Sequence, residues 1–196
     1  MRLWVALAVL LAGCADDPAP PPVKAEAPLD FDYLTKLRLN VASVDIDQGV
    51  PPVGPGEHVE GLAPLPPAEA LRAMARERIL PGGATGRARV TVEAASITRT
   101  DERMDGTLAI RLDVATSDGA RSGFAEARVA RSRVIGNDDP RTVADQLERQ
   151  MMADMNVEFE YQIRKSLRDY LQPTAAAAPA GGPVEAQPLP PPVPGT

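Results

Sequence analysis

The sequence predicts an α+β domain: a two-layer sandwich in which two helices cover one face of a mostly antiparallel four-stranded sheet. Several segments alternate apolar and polar residues, the period of a half-buried strand, and two others place apolar residues at helical spacing. The predicted order is β-α-β-β-β-α. Strands with a single apolar face pack on one side only, so we expect both helices on that side.

The first predicted strand spans about 37–46. Its apolar residues alternate in two opposite phases, Leu37, Leu39 and Val41 and then Val44 and Ile46. A bulge or twist is therefore expected near Ala42 and Ser43. The loop that follows, 48–66, is rich in glycine and proline, and loops of this length are often functional or mobile.

The first helix is predicted to begin at Pro67, a favoured residue for a first turn, and to end at Pro81-Gly82-Gly83. Four apolar residues share its inner face: Leu71, Met74, Ala75 and Ile79. The charged residues Arg72, Arg76 and Glu77 are expected elsewhere on the helix.

Three strands follow and are predicted to form an antiparallel meander. The second strand, 87–98, points Ala88, Val90, Val92 and Ala94 inward, and the polar loop Thr100–Asp105 leads to the third, which points Leu108, Ile110, Leu112 and Val114 inward. Asp118-Gly119 favours a tight hairpin turn. The fourth strand, Arg121–Ile135, points Ala125, Ala127 and Val129 inward.

The last helix is predicted from the cap Asn137-Asp138-Asp139-Pro140 to Leu171. Apolar residues recur every four positions: Val143, Leu147, Met151, Met155, Phe159, Ile163, Leu167 and Leu171. A step of four residues turns about 400°, so this stripe drifts about 40° per step. The helix must therefore wrap around its partner, bend, or expose one end.

The N-terminus has the pattern of a bacterial secretion signal. Arg2 precedes an unbroken apolar run, 3–11, which is too short to span a bilayer, and Leu11-Ala12-Gly13-Cys14 follows. This tetrapeptide resembles the lipobox of bacterial lipoproteins. The resemblance implies cleavage before Cys14, a diacylglyceryl thioether on its sulfur and acylation of the new amino group. The alternative is an ordinary secretion signal with a chance cysteine; Cys14 is the single cysteine of the chain.

Composition divides the chain into a signal peptide, 1–13, a lipidated proline-rich tether, 14–30, an α+β domain, 31–171, and a disordered Ala/Pro-rich tail, 173–196. The residue after Cys14 is alanine rather than aspartate. By the sorting rule familiar from enteric bacteria, this favours an anchor in the outer membrane, facing the periplasm. Asp16 and Asp17 leave the inner membrane open as the less favoured location.

The folded part resembles small envelope lipoproteins. The lipopolysaccharide-assembly lipoprotein and auxiliary lipoproteins of ABC-type lipid transporters share the element order, and uncharacterised alphaproteobacterial lipoproteins share strands like Gly123–Ala127 and endings like Gln162–Leu167. The resemblance implies a non-catalytic binding or scaffold component of envelope assembly or lipid transport. Its expected partners are the bilayer, through the acyl chains on Cys14, and an envelope protein.

Residues for catalysis are sparse. One histidine, His58 beside Glu57 and Glu60, leaves little for a metal site or a histidine base, and no serine or phosphate-binding motif stands out, because Ser122-Gly123 lies in a strand and Gly82-Gly83 ends a helix. The acidic pairs have simpler roles: solvated loop charges at Asp101, Glu102 and Asp105, tether charges at Asp16 and Asp17, and a helix cap at Asp138-Asp139. We therefore predict no catalytic residue, no metal and no cofactor.

Arginines form the most distinctive cluster: Arg87, Arg89, Arg111, Arg121, Arg128, Arg131 and Arg133. On an exposed sheet face they would meet anionic headgroups or an acidic partner. Glu93, Asp113 and Glu126 are interleaved with them, so a solvated face of mixed charge is the other interpretation. The net charge of −6 argues against nucleic acid. Two other functions stay open, a hydrolase of envelope polymers and a structural spacer.

Overall fold

The computed structural model describes residues 27–51 and 54–173. The predicted signal peptide, Cys14, most of the tether and residues 174–196 lie outside the described residues. The strands are β1 (Leu37–Leu39), β2 (Ser43–Ile46), β3 (Glu57–His58), β4 (Ile79–Pro81), β5 (Arg87–Arg99), β6 (Arg103–Ala115) and β7 (Ser122–Val134); the helices are α1 (Pro67–Arg78) and α2 (Pro140–Ser166), with 3₁₀ turns at Glu60–Leu62 and Arg168–Tyr170.

The α+β two-layer sandwich is confirmed. The main sheet has the order β2-β5-β6-β7, β2 runs parallel to β5, and the last three strands form the predicted antiparallel meander. This sheet has five strands rather than four, because β3, inside the predicted loop, pairs with the far end of β5. Both helices contribute to one apolar core on the inner face of the sheet.

The first predicted strand is two strands in two sheets. β1 pairs with β4, whereas β2 joins the main sheet, so the predicted bulge is a break over residues 40–42. The loop after β4 holds this break, since Gly82 and Gly83 donate backbone hydrogen bonds to the Val41 carbonyl. A Cβ on Gly83 would stand 2.6 Å from the carbonyl carbon of Asn40, so only glycine allows this approach. Ile79, expected in the first helix, instead begins β4.

The prediction of inward residues in β5 is wrong beyond Val92, because a β-bulge between Val92 and Ala94 shifts the alternation by one residue. The bulge moves Ala94 off the inner face, and Ile97 is buried in its continuation. β6 begins at Arg103, so Asp105 lies in a strand and not in the predicted loop. The inward residues predicted for β6 and β7 are buried: Leu108, Ile110, Leu112, Val114, Ala125, Ala127 and Val129.

α2 ends five residues earlier than predicted. Asp139 caps its start by accepting a hydrogen bond from the Arg141 backbone N–H at 2.9 Å, as the cap sequence indicates. The apolar stripe is buried from Val143 to Leu167, and Leu171 lies beyond the helix in a bridge to Leu39. The first half of α2 also buries a second line on the α1 side: Ala144, Glu148, Met152 and Asn156.

Two arginines on α1 are buried. Arg72, which is not on the predicted apolar face, donates hydrogen bonds to the carbonyl oxygens of Asp47 and Gly49 and to Glu69. Arg78 reaches α2, where it bonds to Asn156 and Glu160. Long side chains on the inner side of α1 therefore join it to the β2 loop and to α2. Within the described residues, no helix is long and apolar enough to cross a membrane.

Candidate functional site

The sheet divides the predicted arginine cluster between its two sides. Arg87, Arg89, Arg111 and Arg128 project from the outer face, as expected for a docking surface. Arg121, Arg131 and Arg133 share the phase of the buried residues of β7, so they are not part of the outer face. Arg131 bonds to Asp154 of α2 at 2.6 Å, and Arg121 lies over the Tyr170 ring at 5.7 Å.

Arg111 is engaged by its neighbours on the outer face. Its guanidinium bonds twice to Asp113, at 2.8 and 2.9 Å, and also bonds to Glu126, and it stacks on the Phe124 ring at 4.1 Å. The hydrogen bonds that Arg111 donates to Asp113 are the largest of the causes that raise the pKa of Arg111 above its ordinary value. The cation is therefore neutralised locally, and the centre of this face has the mixed charge that the sequence left open.

The outer face keeps a basic margin. Arg87 and Arg89 line an open depression of about 860 Å³, together with Arg111, Asp113 and Phe124. Among the described residues, neither Arg87 nor Arg89 forms an ion pair. These two arginines therefore remain available to bind the anionic groups expected at the predicted surface.

The other sequence-predicted candidates have structural partners. His58 Nδ1 lies 2.8 Å from Glu60, and its Nε2 lies 2.6 Å from the Gly54 carbonyl oxygen; both contacts raise its pKa. Glu60 also accepts the backbone N–H of Ile97, so the pair fastens the β3 segment to β5. Asp101 and Glu102 are exposed in the β5–β6 turn. No group of three potential metal ligands occurs in the part of the chain described.

A groove runs along the first turns of α2. Pro28, Leu29 and the segment 61–65 form one side, and α2 forms the other with Arg141, Thr142, Asp145, Gln146, Glu148 and Arg149. The groove encloses about 970 Å³. Its 61–65 side is largely apolar, from Leu62, Ala63 and Leu65, whereas the α2 side is polar.

Glu148 is the unusual residue of this groove. Its side chain is fully buried, and neither carboxylate oxygen has a hydrogen-bond partner among the described residues. The side-chain oxygen of Gln146, also on the groove, is buried without a partner as well. Most buried polar groups in proteins are hydrogen-bonded, so an unpartnered buried carboxyl indicates either a ligand-binding position or a destabilising burial of a polar group.

Glu148 is not among the site residues predicted from the sequence. In the sequence, a glutamate next to Leu147 is typical of the polar side of an amphipathic helix, and this pattern predicts an exposed side chain. The available signal was the second line at four-residue spacing, Ala144, Glu148, Met152 and Asn156, which is mostly small or apolar and predicts a wider buried face.

Burial raises the pKa of Glu148 from its ordinary value of 4.5 to about 8. The negative charge of Asp145 acts in the same direction, and the positive charge of Arg149 opposes it. Asp145 itself is bound to Arg149, with Nε–Oδ distances of 3.0 and 3.1 Å. At neutral pH Glu148 is therefore mostly a neutral carboxylic acid, able to donate one hydrogen bond and accept another.

This shift predicts a specific pH dependence of stability. Because Glu148 binds its proton more tightly when folded, the folded chain holds more protons than the unfolded chain between about pH 4.5 and pH 8. The contribution of Glu148 to the free energy of unfolding therefore falls as pH rises through this window, by at most about 1.4 kcal/mol per pH unit. Below and above the window it is constant.

We expect Glu148→Gln to remove that slope. Urea unfolding at several pH values should show that the free energy of unfolding of the variant increases relative to that of the parent chain as pH rises from 5 to 8. The matched control is Glu158→Gln, at a half-exposed glutamate of the same helix, whose difference from the parent should not change in this way. A pH-independent difference for Glu148→Gln would show that the carboxyl is solvated in the folded chain.

Comparisons with known proteins do not identify a family for this chain. No protein-family model matches the chain, and no curated protein matches it. Among solved structures, a hypothetical protein from Chlamydia trachomatis is similar: it has 8% sequence identity, covers 63% of this chain and 98% of its own, and has a TM-score of 0.36. At this identity and score the similarity carries no argument about function.

Proposed function

We propose that this chain is a lipoprotein of the bacterial envelope, anchored through Cys14 and facing the periplasm, with the outer membrane as its favoured location. Its folded part acts as a non-catalytic binding or scaffold component of envelope assembly or lipid transport. The anchor is supported by the apolar run 3–11, the lipobox Leu11–Cys14 and the proline-rich segment that follows.

The observation that carries the binding role is the unpartnered Glu148 carboxyl beneath an open, partly apolar groove. Leaving buried polar groups unsatisfied costs about 1–3 kcal/mol each, so a ligand that accepts from the O–H of the neutral Glu148 and donates to its carbonyl oxygen would recover free energy on binding. The apolar side of the groove would take a hydrocarbon or aliphatic side chain. We therefore infer a ligand or partner segment that combines an apolar body with a polar group, such as an amide, that both donates and accepts a hydrogen bond.

The charges around the groove refine this class. Asp145 and Arg149 are paired with each other, and Arg141 lies nearby on the same side. With Glu148 neutral, Arg141, Asp145 and Arg149 leave the groove with one positive charge in excess, which favours a ligand that is neutral or carries a single negative charge. Pro28 and Leu29 border the groove where the chain leads back towards Cys14, so the site lies beside the attachment of the tether.

Photo-crosslinking tests the location of binding. A photoreactive residue at Leu65, in the groove, is compared with one at Arg89, on the opposite face of the sheet, in the full chain in native envelopes. We expect an adduct from Leu65 that weakens when Glu148→Met removes the buried acceptor. An adduct from Arg89 alone would assign binding to the basic margin of the outer face. The absence of adducts from both would favour a structural spacer.

The anchor is tested separately. We expect Cys14→Ser to yield an unprocessed precursor that incorporates no labelled fatty acid, because the thiol is the nucleophile for lipid transfer. The measurement is metabolic labelling with gel mobility, and the parent chain provides the comparison. Normal acylation and processing of Cys14→Ser would contradict the lipoprotein assignment while leaving the groove untouched.

A hydrolase is the second candidate. Asp145 and Glu148 line the same groove, and a carboxyl with its pKa raised to about 8 is protonated at neutral pH, as a general acid must be. Against this, Asp145 is bound by Arg149, so among the described residues of the groove no free carboxylate is left to act with Glu148 as a base or nucleophile. Release of fragments from envelope polymers by the purified chain, abolished by Glu148→Gln, would establish the hydrolase and overturn the non-catalytic proposal.

A further inference from the structure

The strand β7 forms a long open edge of the main sheet. It has 13 residues and no proline, and no other described strand pairs with the side turned away from β6. Proteins usually shorten, bulge, cover or charge such an edge, because its free N–H and C=O groups pair readily with another strand. β7 is not shortened, and its protection comes from charged side chains: Glu126, Arg128, Arg131 and Arg133. Such charges oppose pairing where like charges meet, so a register that pairs opposite charges leaves the edge open to a partner.

Two hydrogen bonds fix which backbone groups of β7 are free. Thr116 N–H donates to the Arg121 carbonyl oxygen at one end of the β6–β7 ladder, and Ile135 N–H donates to that of Glu102 at the other, both at 2.9 Å. Hydrogen-bonded positions alternate in an antiparallel ladder, and this ladder has no register shift. The odd-numbered residues of β7 therefore bond to β6, and the even-numbered residues present their N–H and C=O groups to the open edge.

We propose that a second copy of this chain occupies this edge, with its own β7 antiparallel about a two-fold axis at Ala127. In this register Glu126 stands opposite Arg128 of the partner subunit, and the pair is repeated by the symmetry. Even-numbered residues then face each other from Ser122 to Ser132. Such pairing forms about twelve backbone hydrogen bonds between the two copies and joins the two sheets into one.

On the outer face, charge selects this register over its neighbours, whereas on the inner side the same register places Arg121 opposite Arg133 of the partner subunit, just beyond the paired residues. Shifts by an even number of residues keep the even-numbered groups paired, and the nearest are shifts of two. One such shift places Glu126 opposite the partner subunit's Glu126, and the other places Arg128 opposite the partner subunit's Arg128. Like charges directly opposite each other are destabilising, whereas opposite charges contribute roughly 0.2–1 kcal/mol. The side chains of Glu126 and Arg128 are both exposed on the outer face. One carboxylate oxygen of Glu126 is bound by Arg111 of its own chain, and the second oxygen faces Arg128 of the partner subunit in this register.

The helix beneath β7 supports the same axis. α2 runs antiparallel to β7, since Arg131 bonds to Asp154 and a Cβ on Gly123 would stand 2.9 Å from Leu167. Ala127 therefore lies near residue 160 of α2. Tyr161, which is 56% exposed, is two turns from Asp154 and so on the same side of the helix. In the proposed dimer, Tyr161 would be covered by Tyr161 of the partner subunit.

The spacing of the layers fits this contact. Strands are about 4.8 Å apart, and α2 packs over both β6 and β7. Because α2 lies mainly over β7, two copies related at the β7 edge place their α2 helices at most about 10 Å apart, so the two helices contact each other. The antiparallel arrangement also brings Lys165 of the partner subunit towards Asp154. A sheet pairing and a helix pairing thus converge on one symmetric interface.

Cysteine crosslinking tests the register. In the full chain carrying Cys14→Ser, which has no thiol, Ser122→Cys alone and Ser132→Cys alone should give no covalent dimer. A mixture of the two single variants should give one, because position 122 faces position 132 of the other copy. Within one chain the two positions are about 33 Å apart along the strand, so they cannot bridge internally.

Sedimentation measurements with an edge variant complete the test. The N–H of Arg128 points to the open edge, so Arg128→Pro should leave the β6–β7 ladder intact while converting the dimer into a monomer. Circular dichroism and an unchanged unfolding midpoint would show that the fold is retained. A monomeric parent chain, or covalent dimers formed equally by each single cysteine variant, would overturn the proposal. A dimer that appears only after residues 174–196 are removed would overturn it too, by showing that the tail is the occupant.

Discussion

The substitution Arg78→Ala is expected to lower the free energy of unfolding by about 3–5 kcal/mol, the cost of breaking a buried charged pair. Arg78 is 2% exposed, and its guanidinium is the main polar contact between α1 and α2. It donates to the carbonyl oxygen of Asn156 at 3.1 Å, to its side chain at 3.3 Å and to Glu160. Alanine would leave these acceptors without their donor and would open a space of arginine size.

Controls separate the charge from the volume. Arg78→Met keeps most of the side-chain volume but no donor, so it should cost less than alanine and still destabilise. Arg76→Ala, at an exposed position two residues away, should change stability by less than about 0.5 kcal/mol. Urea unfolding measures all three. A loss below about 1 kcal/mol for Arg78→Ala would show that water replaces the guanidinium without cost, and that the α1–α2 contact does not depend on it.

Glu160 gives a second readout of the same contact. Burial acts to raise its pKa, but hydrogen bonds from Arg164 and Arg78 outweigh burial and hold the pKa below the ordinary value. Removing Arg78 should therefore move the pKa of Glu160 upward. Arg164, which lies 2.8 Å from Glu160, remains in the variant, so the rise should be partial.

The fold was largely predictable because its apolar periods are regular. Alternation in β6 and β7 and the four-residue stripe of α2 each fixed a buried face, and those faces are the ones observed. Two features were not predictable in this way. The bulge at Val92–Ala94 inserts one residue without a sequence marker, and the break after β1 depends on Gly83 approaching Asn40, a contact 43 residues apart in sequence.

The buried charges escaped sequence analysis for a different reason. Arg72, Arg78 and Glu148 lie at positions where helical spacing allows either face, and arginine and glutamate are mostly exposed in proteins. Their burial depends on partners from distant segments, or in the case of Glu148 on the lack of them. The inner position of Arg131 and Arg133, however, was predictable from the sequence. They continue the two-residue period of Ala125, Ala127 and Val129, which places them on the inner side, away from the predicted docking face.

Truncation of the central core is expected to have an effect of similar size. Leu112 of β6 and Ile163 of α2 are both fully buried in the cluster between sheet and helix. Replacing either by alanine removes apolar contacts and leaves a cavity that the close-packed neighbours fill only in part. We expect each substitution to lower the free energy of unfolding by about 2–5 kcal/mol.

Val157→Ala provides the matched control for the core, since Val157 is on the same helix as Ile163 and is 73% exposed. It should cost less than about 0.5 kcal/mol by urea unfolding. Comparable small losses at Leu112, Ile163 and Val157 would mean that α2 does not pack on the sheet through the stripe from Val143 to Leu167. That outcome would also remove the basis for placing α2 under β7, because the same helix phase that buries Ile163 turns Tyr161 towards the open edge.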